Sequence, residues 1–105
     1  MDAEKSESFG GRATTPEDLR LAAIDLRQQG DALFKSSPAA AEAKYKQATA
    51  NDPIYDVPYL RLADICLGRK DMDGAREILK NALAVDGMSS DSKNDLTRKL
   101  DSISK

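Results

Sequence analysis

Apolar and polar residues alternate along this chain with the spacing of amphipathic α-helices. From Thr15 onward, apolar or small residues recur every three or four positions, as on one buried helical face. The first such stripe consists of Leu19, Ala22, Ala23, Leu26, Gly30, Leu33 and Phe34. It follows Thr15-Pro16-Glu17-Asp18, which supplies a capping hydroxyl, a proline at the first helical position and an acidic first turn. The pattern predicts a helix over about 16–35.

Three further helices follow with similar start and stop signals. Ser36-Ser37-Pro38 predicts a second helix that ends near Asn51-Asp52-Pro53, with Ser37 as its cap. Asp56-Val57-Pro58 predicts a third helix that ends near Gly68. A polar turn from Arg69 to Asp73 leads to a fourth, which stops near Asp86-Gly87. Their buried faces contain Ala41, Tyr45 and Ala48, then Tyr59, Leu62, Ala63, Cys66 and Leu67, then Ala75, Ile78, Leu79, Ala82 and Leu83.

The two ends of the chain carry weaker patterns. Leu96, Leu100 and Ile103 predict a fifth, thinly amphipathic helix over about 92–104. Residues 1–14 contain one large apolar residue, Phe9, and no periodicity around it, so we predict a disordered N-terminal tail. With 105 residues in total, the chain has room for one all-α domain, over about 15–105.

Composition excludes several classes of function. The 18 acidic and 16 basic residues give a net charge of −2, which argues against nucleic acid as a partner. No apolar run approaches the length of a membrane-spanning helix, so we expect no membrane insertion. With no histidine and one cysteine, Cys66, we expect no metal, no cofactor and no enzymatic activity. Cys66 is predicted to be a core residue, and the chain to be cytosolic or nuclear.

The helices repeat with a period of about 34 residues. The positions Ala41, Tyr45, Ala48 and Pro53 are followed 34 residues later by Ala75, Leu79, Ala82 and Gly87. This alternation of small and large residues resembles the tetratricopeptide repeat, and the resemblance covers about residues 22–88. It implies a helical-hairpin repeat array, an α-solenoid, with repeats at about 22–55 and 56–88 and a capping helix at about 92–104. Small residues such as Gly30 and Ala75 allow paired helices to approach closely.

The resemblance also implies a ligand site, because the family recognises peptides or proteins on the concave face formed by the first helix of each pair. The side chains expected on that face are Ile24, Arg27, Asp31, Phe34 and Lys35 from the first repeat, and Val57, Leu60, Arg61, Asp64 and Leu67 from the second. Of these we expect Arg27, Phe34, Leu60 and Arg61 to contribute most to binding. The alternative is that Ile24, Val57 and Leu67 pack helix against helix and that the charges form a solvated face.

A subset of the family binds the acidic tails of heat-shock chaperones with a clamp of basic residues and asparagine. Arg27 and Arg61 lie where clamp cations are expected, but Asp31 replaces the asparagine. A carboxylate there repels an acidic tail, and Asp91 and Asp95 stand near the positions of the remaining cations. The chaperone tail is therefore a disfavoured partner.

Two functions remain from the sequence. The first is an adaptor that binds a peptide or helical segment of a partner in the concave groove, acting as a monomer. The second is a structural subunit of a larger complex, or a weak homodimer, assembled through an incompletely capped apolar face. The thin stripe of the last helix motivates the second, because it leaves part of Ala75, Ile78 and Leu83 uncovered.

Overall fold

The computed structural model describes residues 15–103, which fold into five α-helices without a β-strand. The helices are α1 (Pro16–Leu33), α2 (Pro38–Asn51), α3 (Val57–Gly68), α4 (Met72–Leu83) and α5 (Ser90–Ile103). The prediction of an all-α chain of five helices is confirmed. The predicted disordered tail, residues 1–14, lies outside the described residues. Within the described range, no helix is both long enough and apolar enough to cross a membrane.

Side-chain capping was predicted at the starts of α1 and α2, and the structure shows it at one of them. Thr15 caps α1 as predicted, because its hydroxyl accepts a hydrogen bond from the backbone N–H of Asp18 at 3.0 Å. Ser37 occupies the corresponding position before α2, but its side chain makes no capping hydrogen bond. The prediction that Ser37 caps the second helix through its side chain is therefore wrong, and Pro38 at the first helical position is the start signal that remains.

Side-chain caps also move the starts of α4 and α5. The predicted turn extends to Asp73, yet α4 begins at Met72 because the Asp71 carboxylate accepts from the backbone N–H of Gly74 at 2.9 Å. The chain reaches this cap through Lys70, whose φ of 62° lies in the left-handed region. In α5 the Ser89 hydroxyl accepts from the N–H of Ser92 at 3.1 Å, so the helix begins at Ser90 rather than near residue 92.

The first helix ends two residues earlier than the periodicity predicts. After Leu33 the N–H of Phe34 bonds to the carbonyl of Asp31, and the N–H of Ser37 bonds to the carbonyl of Leu33. These bonds tighten the chain into a turn. Proline disfavours the helical conformation in the residue before it, so Pro38 prevents α1 from continuing into α2.

Consecutive helices pack against each other along the chain, from α1 with α2 to α4 with α5. The closest approach within the first pair is at Gly30, whose α-carbon faces the ring of Tyr45. Both residues are fully or almost fully buried, and Ala41 and Ala48 are fully buried on the same face of α2. Small residues on one helix thus make room for a large ring on the next, as the repeat pattern predicts.

The largest core cluster joins α3, α4 and α5. Its buried members are Ala63, Cys66, Ala75, Leu79, Ala82, Met88, Leu96 and Ile103. Leu96 and Leu79 are fully buried, and Ala75 has no exposed surface, while Ile78 and Leu83 are partly buried against the cluster. The prediction that part of Ala75 stays uncovered is wrong, because Ala75 has no exposed surface, whereas Ile78 and Leu83 do keep part of theirs exposed.

Exposed apolar side chains lie mainly near the start of α1 and the loop after α2. Among the described residues, the large hydrophobic side chains that are exposed are Leu21 at 65%, Met72 at 43% and Ile54 at 38%. Leu21 belongs to the first half of α1 and Ile54 to the loop between α2 and α3. The two lie on one cleft, whereas Met72 stands at the start of α4.

Candidate functional site

Two adjacent clefts open on the surface formed by α1, α3 and α5. One, of about 360 Å³, is lined by Asp31, Ala32, Phe34, Lys35, Arg61 and Asp64. The other, of about 400 Å³, is lined by Leu60, Arg61, Asp64, Asp95, Arg98, Lys99 and Ser102. Because Arg61 and Asp64 border both clefts, the two clefts form one continuous surface across three helices. We call this surface the α1–α3–α5 face.

The carboxylate of Asp31 is the meeting point of side chains from three helices. Its Oδ1 accepts from the hydroxyl of Tyr45 at 2.6 Å and from Nε of Arg61 at 3.1 Å. Its Oδ2 accepts from Nη1 of Arg27 at 2.8 Å. Burial alone raises the pKa of Asp31, but the hydrogen bonds from Tyr45, Arg27 and Arg61 outweigh that effect and hold the pKa below its ordinary value. Asp31 is therefore ionised at neutral pH.

Tyr45 connects this polar cluster to the core. Its side chain is fully buried, and its ring lies 6.4 Å from that of Phe34, at a tilt of 60°. Burial, and next the neighbouring Asp31 carboxylate, raise the pKa of Tyr45 well above its ordinary value. The hydroxyl therefore stays protonated and donates permanently to Asp31, which fixes the carboxylate against the helix pair.

Arg27 makes contacts that hold the helices together and does not border the clefts. Besides Asp31, it donates from Nε to the hydroxyl of Tyr55 at 3.2 Å, which links α1 to the loop that precedes α3. The Asp31 hydrogen bond, and then that of Tyr55, raise the pKa of Arg27. Its side chain is 24% exposed and lines neither cleft. The structure thus gives Arg27 a positioning role towards Asp31 and Tyr55.

Further ion pairs cross the α1–α3–α5 face. Lys99 of α5 lies 2.5 Å from the Asp64 carboxylate of α3, measured from Nζ to Oδ1. Arg98 and Asp95, both on α5, form a looser pair with 3.6 Å between Nη1 and Oδ1. Together with the pair of Arg61 and Asp31, these contacts give the face a nearly balanced set of charges.

The apolar residues predicted for the concave face divide into two groups. Phe34 lines the first cleft and Leu60 the second, each partly buried against a core cluster. Leu67 lines neither cleft and packs against the cluster of α3, α4 and α5. Ile24 and Val57 likewise pack against the cluster of Ala23, Ala48 and Tyr55. For these three residues the structure favours the alternative of helix-to-helix packing.

Of the ten residues predicted for the concave face, six border the clefts: Asp31, Phe34, Lys35, Leu60, Arg61 and Asp64. Ile24, Arg27, Val57 and Leu67 do not. Sequence reasoning missed the hydroxyl of Tyr45 and the ammonium of Lys99. It assigned Tyr45 to the core by its ring, and although it placed Asp95 of the last helix near the site, it did not place Lys99 there.

A separate cleft of about 650 Å³ lies between the first turns of α1 and the end of α2. Its lining consists of Pro16, Glu17, Leu19, Arg20, Leu21, Asn51, Asp52, Pro53 and Ile54. Arg20 forms an ion pair with Asp52 and stacks over the ring of Tyr55, with 4.7 Å from its guanidinium carbon to the ring centroid. We call it the α1–α2 cleft.

The described residues offer little for metal or nucleophilic chemistry. Among them, no three His, Cys, Asp or Glu side chains are grouped so that they could hold a metal ion. Cys66 is buried in the core as predicted, and burial, followed by the charges of Asp71 and Glu42, raises the pKa of its thiol. A thiol held protonated in a core is a poor nucleophile.

Stacked helical hairpins with small residues at their contacts define a class of helical repeat proteins. A model of the family described as tetratricopeptide repeat matches residues 26–94, more than half of the chain, and the chain belongs to that family. No curated protein and no solved structure matches it significantly. Tetratricopeptide repeats generally mediate contacts between proteins and are typically without enzymatic activity, and the expected role of this chain is of that kind.

Proposed function

We propose that this protein is an adaptor that binds a peptide or helical segment of a partner protein on the α1–α3–α5 face. The observation that carries the proposal is the pair of adjoining clefts, which share Arg61 and Asp64 and extend over three helices. Phe34 and Leu60 supply apolar anchor points, one in each cleft. Arginine and aromatic residues are the side chains that most often dominate binding energy.

Rigidity supports the same proposal. Asp31 is held by three donors, and Asp64 by Lys99, so these two carboxylates of the clefts are ordered before a ligand arrives. A preordered surface loses little side-chain entropy on binding. The ligand then bears most of the ordering cost, as for an extended or helical segment that docks into a groove.

The test uses two arginines in similar settings. Arg61 is 38% exposed and paired with Asp31, whereas Arg76 on α4 is 31% exposed and paired with Asp73, away from both clefts. Wild type, Arg61→Ala and Arg76→Ala are immobilised for capture from cell lysate, and a captured protein is purified and titrated against each. We expect affinity to fall by about tenfold or more with Arg61→Ala and to be unchanged with Arg76→Ala.

Arg27 is kept intact in this design because its bonds to Asp31 and Tyr55 hold α1 in place. Circular dichroism of each variant establishes that it is folded as the wild type is. Partners that bind all three proteins equally contradict binding on the α1–α3–α5 face.

The second candidate function is self-association through the α1–α2 cleft. Leu21, 65% exposed, and Ile54 favour it, since both border this cleft. The described part of α5 has no exposed large apolar residue, so a head-to-tail contact finds no apolar counterpart there. A two-fold symmetric dimer, in which the α1–α2 cleft of one copy contacts the same cleft of the other, does cover apolar surface on both copies.

Sedimentation velocity over a range of concentrations separates the two candidates. If the protein self-associates through this cleft, wild type forms a dimer and Leu21→Glu dissociates it. Met72→Glu, which changes an exposed apolar residue outside the cleft, leaves the dimer intact. A wild type that sediments as a monomer at every concentration rejects self-association and leaves the adaptor.

A further inference from the structure

We propose that Asp31 determines the specificity of the α1–α3–α5 face: its carboxylate occupies the guanidinium of Arg61, which borders both clefts, while Arg27, outside the clefts, holds that carboxylate in place, so that the face rejects acidic segments. The segments it accepts carry apolar anchors and no net negative charge. This inference rests on the proposed function, because it takes this face as the ligand site.

The geometry around Asp31 is that of a bound anion. Arg27 from the same helix and Arg61 from α3 both donate to it, at 2.8 and 3.1 Å, and Tyr45 from α2 donates at 2.6 Å. A carboxylate has about four acceptor sites on its two oxygens, and three donors already use them here. Guanidinium groups are the side chains best suited to hold a carboxylate. Of these donors only Arg61 borders the clefts, so an acidic ligand competes with Asp31 for Arg61.

Displacing Asp31 is costly for a ligand. Asp31 is attached to the same helix as Arg27, so its effective concentration at this position exceeds that of a free ligand in dilute solution. The fully buried Tyr45 holds it there from the opposite helix. A carboxylate that took over Arg61 would deprive Asp31, whose side chain is 30% exposed, of its ion pair with α3.

The remaining charges of the face lead to the same selectivity. Lys99 is paired with Asp64, and Arg98 with Asp95. An acidic segment therefore meets three cations that already have carboxylate partners, with Lys35 as the fourth cation that borders the clefts, and it meets three carboxylates of the face as well. Phe34 and Leu60 offer contacts that do not depend on ligand charge.

The experiment measures binding of a synthetic probe by fluorescence anisotropy. The probe is a short labelled glutamate-rich peptide with a free C-terminal carboxylate, and its glutamine-rich, amidated counterpart serves as the uncharged comparison. We expect Asp31→Asn to bind the glutamate-rich peptide at least about tenfold more tightly than wild type, because asparagine keeps an acceptor for Tyr45 but no longer neutralises the charge of Arg61. The double variant Asp31→Asn with Arg61→Gln should lose this gain.

Asp25→Asn is the matched control, because it removes an exposed acid from the same helix, one that contacts Gln29 and not the arginines. An equal gain with Asp25→Asn overturns the proposal, since it attributes the effect to net charge. Wild-type binding as tight as that of Asp31→Asn overturns it too.

A measurement on wild type keeps the proposal testable where Asp31→Asn is poorly folded. The Nε–H resonance of Arg61 is followed by NMR while the glutamate-rich peptide is added, and we expect it not to move. A saturating shift contradicts the proposal. Both measurements use a synthetic peptide, so they do not depend on capture of a natural partner. If capture fails and Asp31→Asn still gains affinity, the proposed function falls while the role of Asp31 stands.

Discussion

Gly30 in α1 lies so close to Tyr45 in α2 that a Cβ atom at position 30 would stand 2.5 Å from Cε1 of the tyrosine ring. Real Cβ atoms do not approach another heavy atom so closely, and the ring is fully buried and cannot swing aside. The absence of a side chain at position 30 is therefore a condition for the contact of the two helices. The same contact holds Tyr45 in position to donate to Asp31.

The first prediction concerns this contact. We expect Gly30→Ala to lower the free energy of unfolding by about 1–3 kcal/mol, because the added methyl overpacks the interface with Tyr45. Gly68→Ala is the control: Gly68 ends α3, and a Cβ there meets no atom within 4 Å. Alanine at position 68 should leave the stability unchanged or raise it by up to about 1 kcal/mol. Urea unfolding measures both, and equal effects of the two substitutions contradict the overpacking account.

The fold could be predicted well from the sequence, because the helices of this fold are specified by patterns of residues close together in the chain. The period of apolar residues revealed all five helices, and the recurrence after 34 residues identified the repeat. Helix ends were less predictable. Serine and aspartate are equally suited to capping by residue type, and only backbone geometry decides that Asp71 caps its helix with its side chain while Ser37 does not.

The candidate site was harder to predict because it depends on contacts between helices distant in the chain. Position within the repeat brought Asp31, Arg61 and Asp64 to the same face, yet it could not show that Asp31 binds both arginines. Lys99 was missed for the same reason, since its pairing with Asp64 requires that α5 lie beside α3. Which charged side chains pair with each other depends on how the helices pack, and the spacing of apolar residues along the chain does not reveal it.

The second prediction tests the difference between the two caps. We expect Asp71→Ala to cost about 0.5–2 kcal/mol, because it removes the acceptor for the N–H of Gly74. Ser37→Ala should change the free energy of unfolding by much less, because the Ser37 side chain makes no capping bond. Thermal or urea unfolding of the two variants beside wild type gives the comparison. A larger loss with Ser37→Ala reverses our assignment of the caps.

The third prediction concerns the packing of α5. Leu96 is fully buried in the cluster with Leu79 and Ala75, so Leu96→Ala should lower the free energy of unfolding by about 2–5 kcal/mol. The adjacent Thr97 is exposed, and Thr97→Ala should have little effect or stabilise the helix slightly. Urea unfolding is monitored by circular dichroism at about 222 nm, the minimum of the helical signal, which reports on all helices together. A loss below about 1 kcal/mol with Leu96→Ala indicates that α5 does not cover the core as described.

The fourth prediction follows from the lowered pKa of Asp31. Because the folded-state pKa lies below that of the unfolded chain, near 4 for aspartate, ionised Asp31 stabilises the fold above about pH 4. This contribution is lost as the pH falls through the folded-state pKa. Wild type should therefore exceed Asp31→Asn in stability at neutral pH, and the difference should shrink on acidification below about pH 4.

Urea unfolding of both proteins at several pH values measures that difference. Glu42 also has a lowered pKa, caused by hydrogen bonds from Arg69 and charges that outweigh its burial, but it is present in both proteins and cancels. Asp25→Asn controls for the loss of one negative charge on the same helix, because Asp25 contacts Gln29. A stability gap between wild type and Asp31→Asn that stays constant from neutral pH to below about pH 3 contradicts this account, because it means that ionisation of Asp31 is not linked to folding.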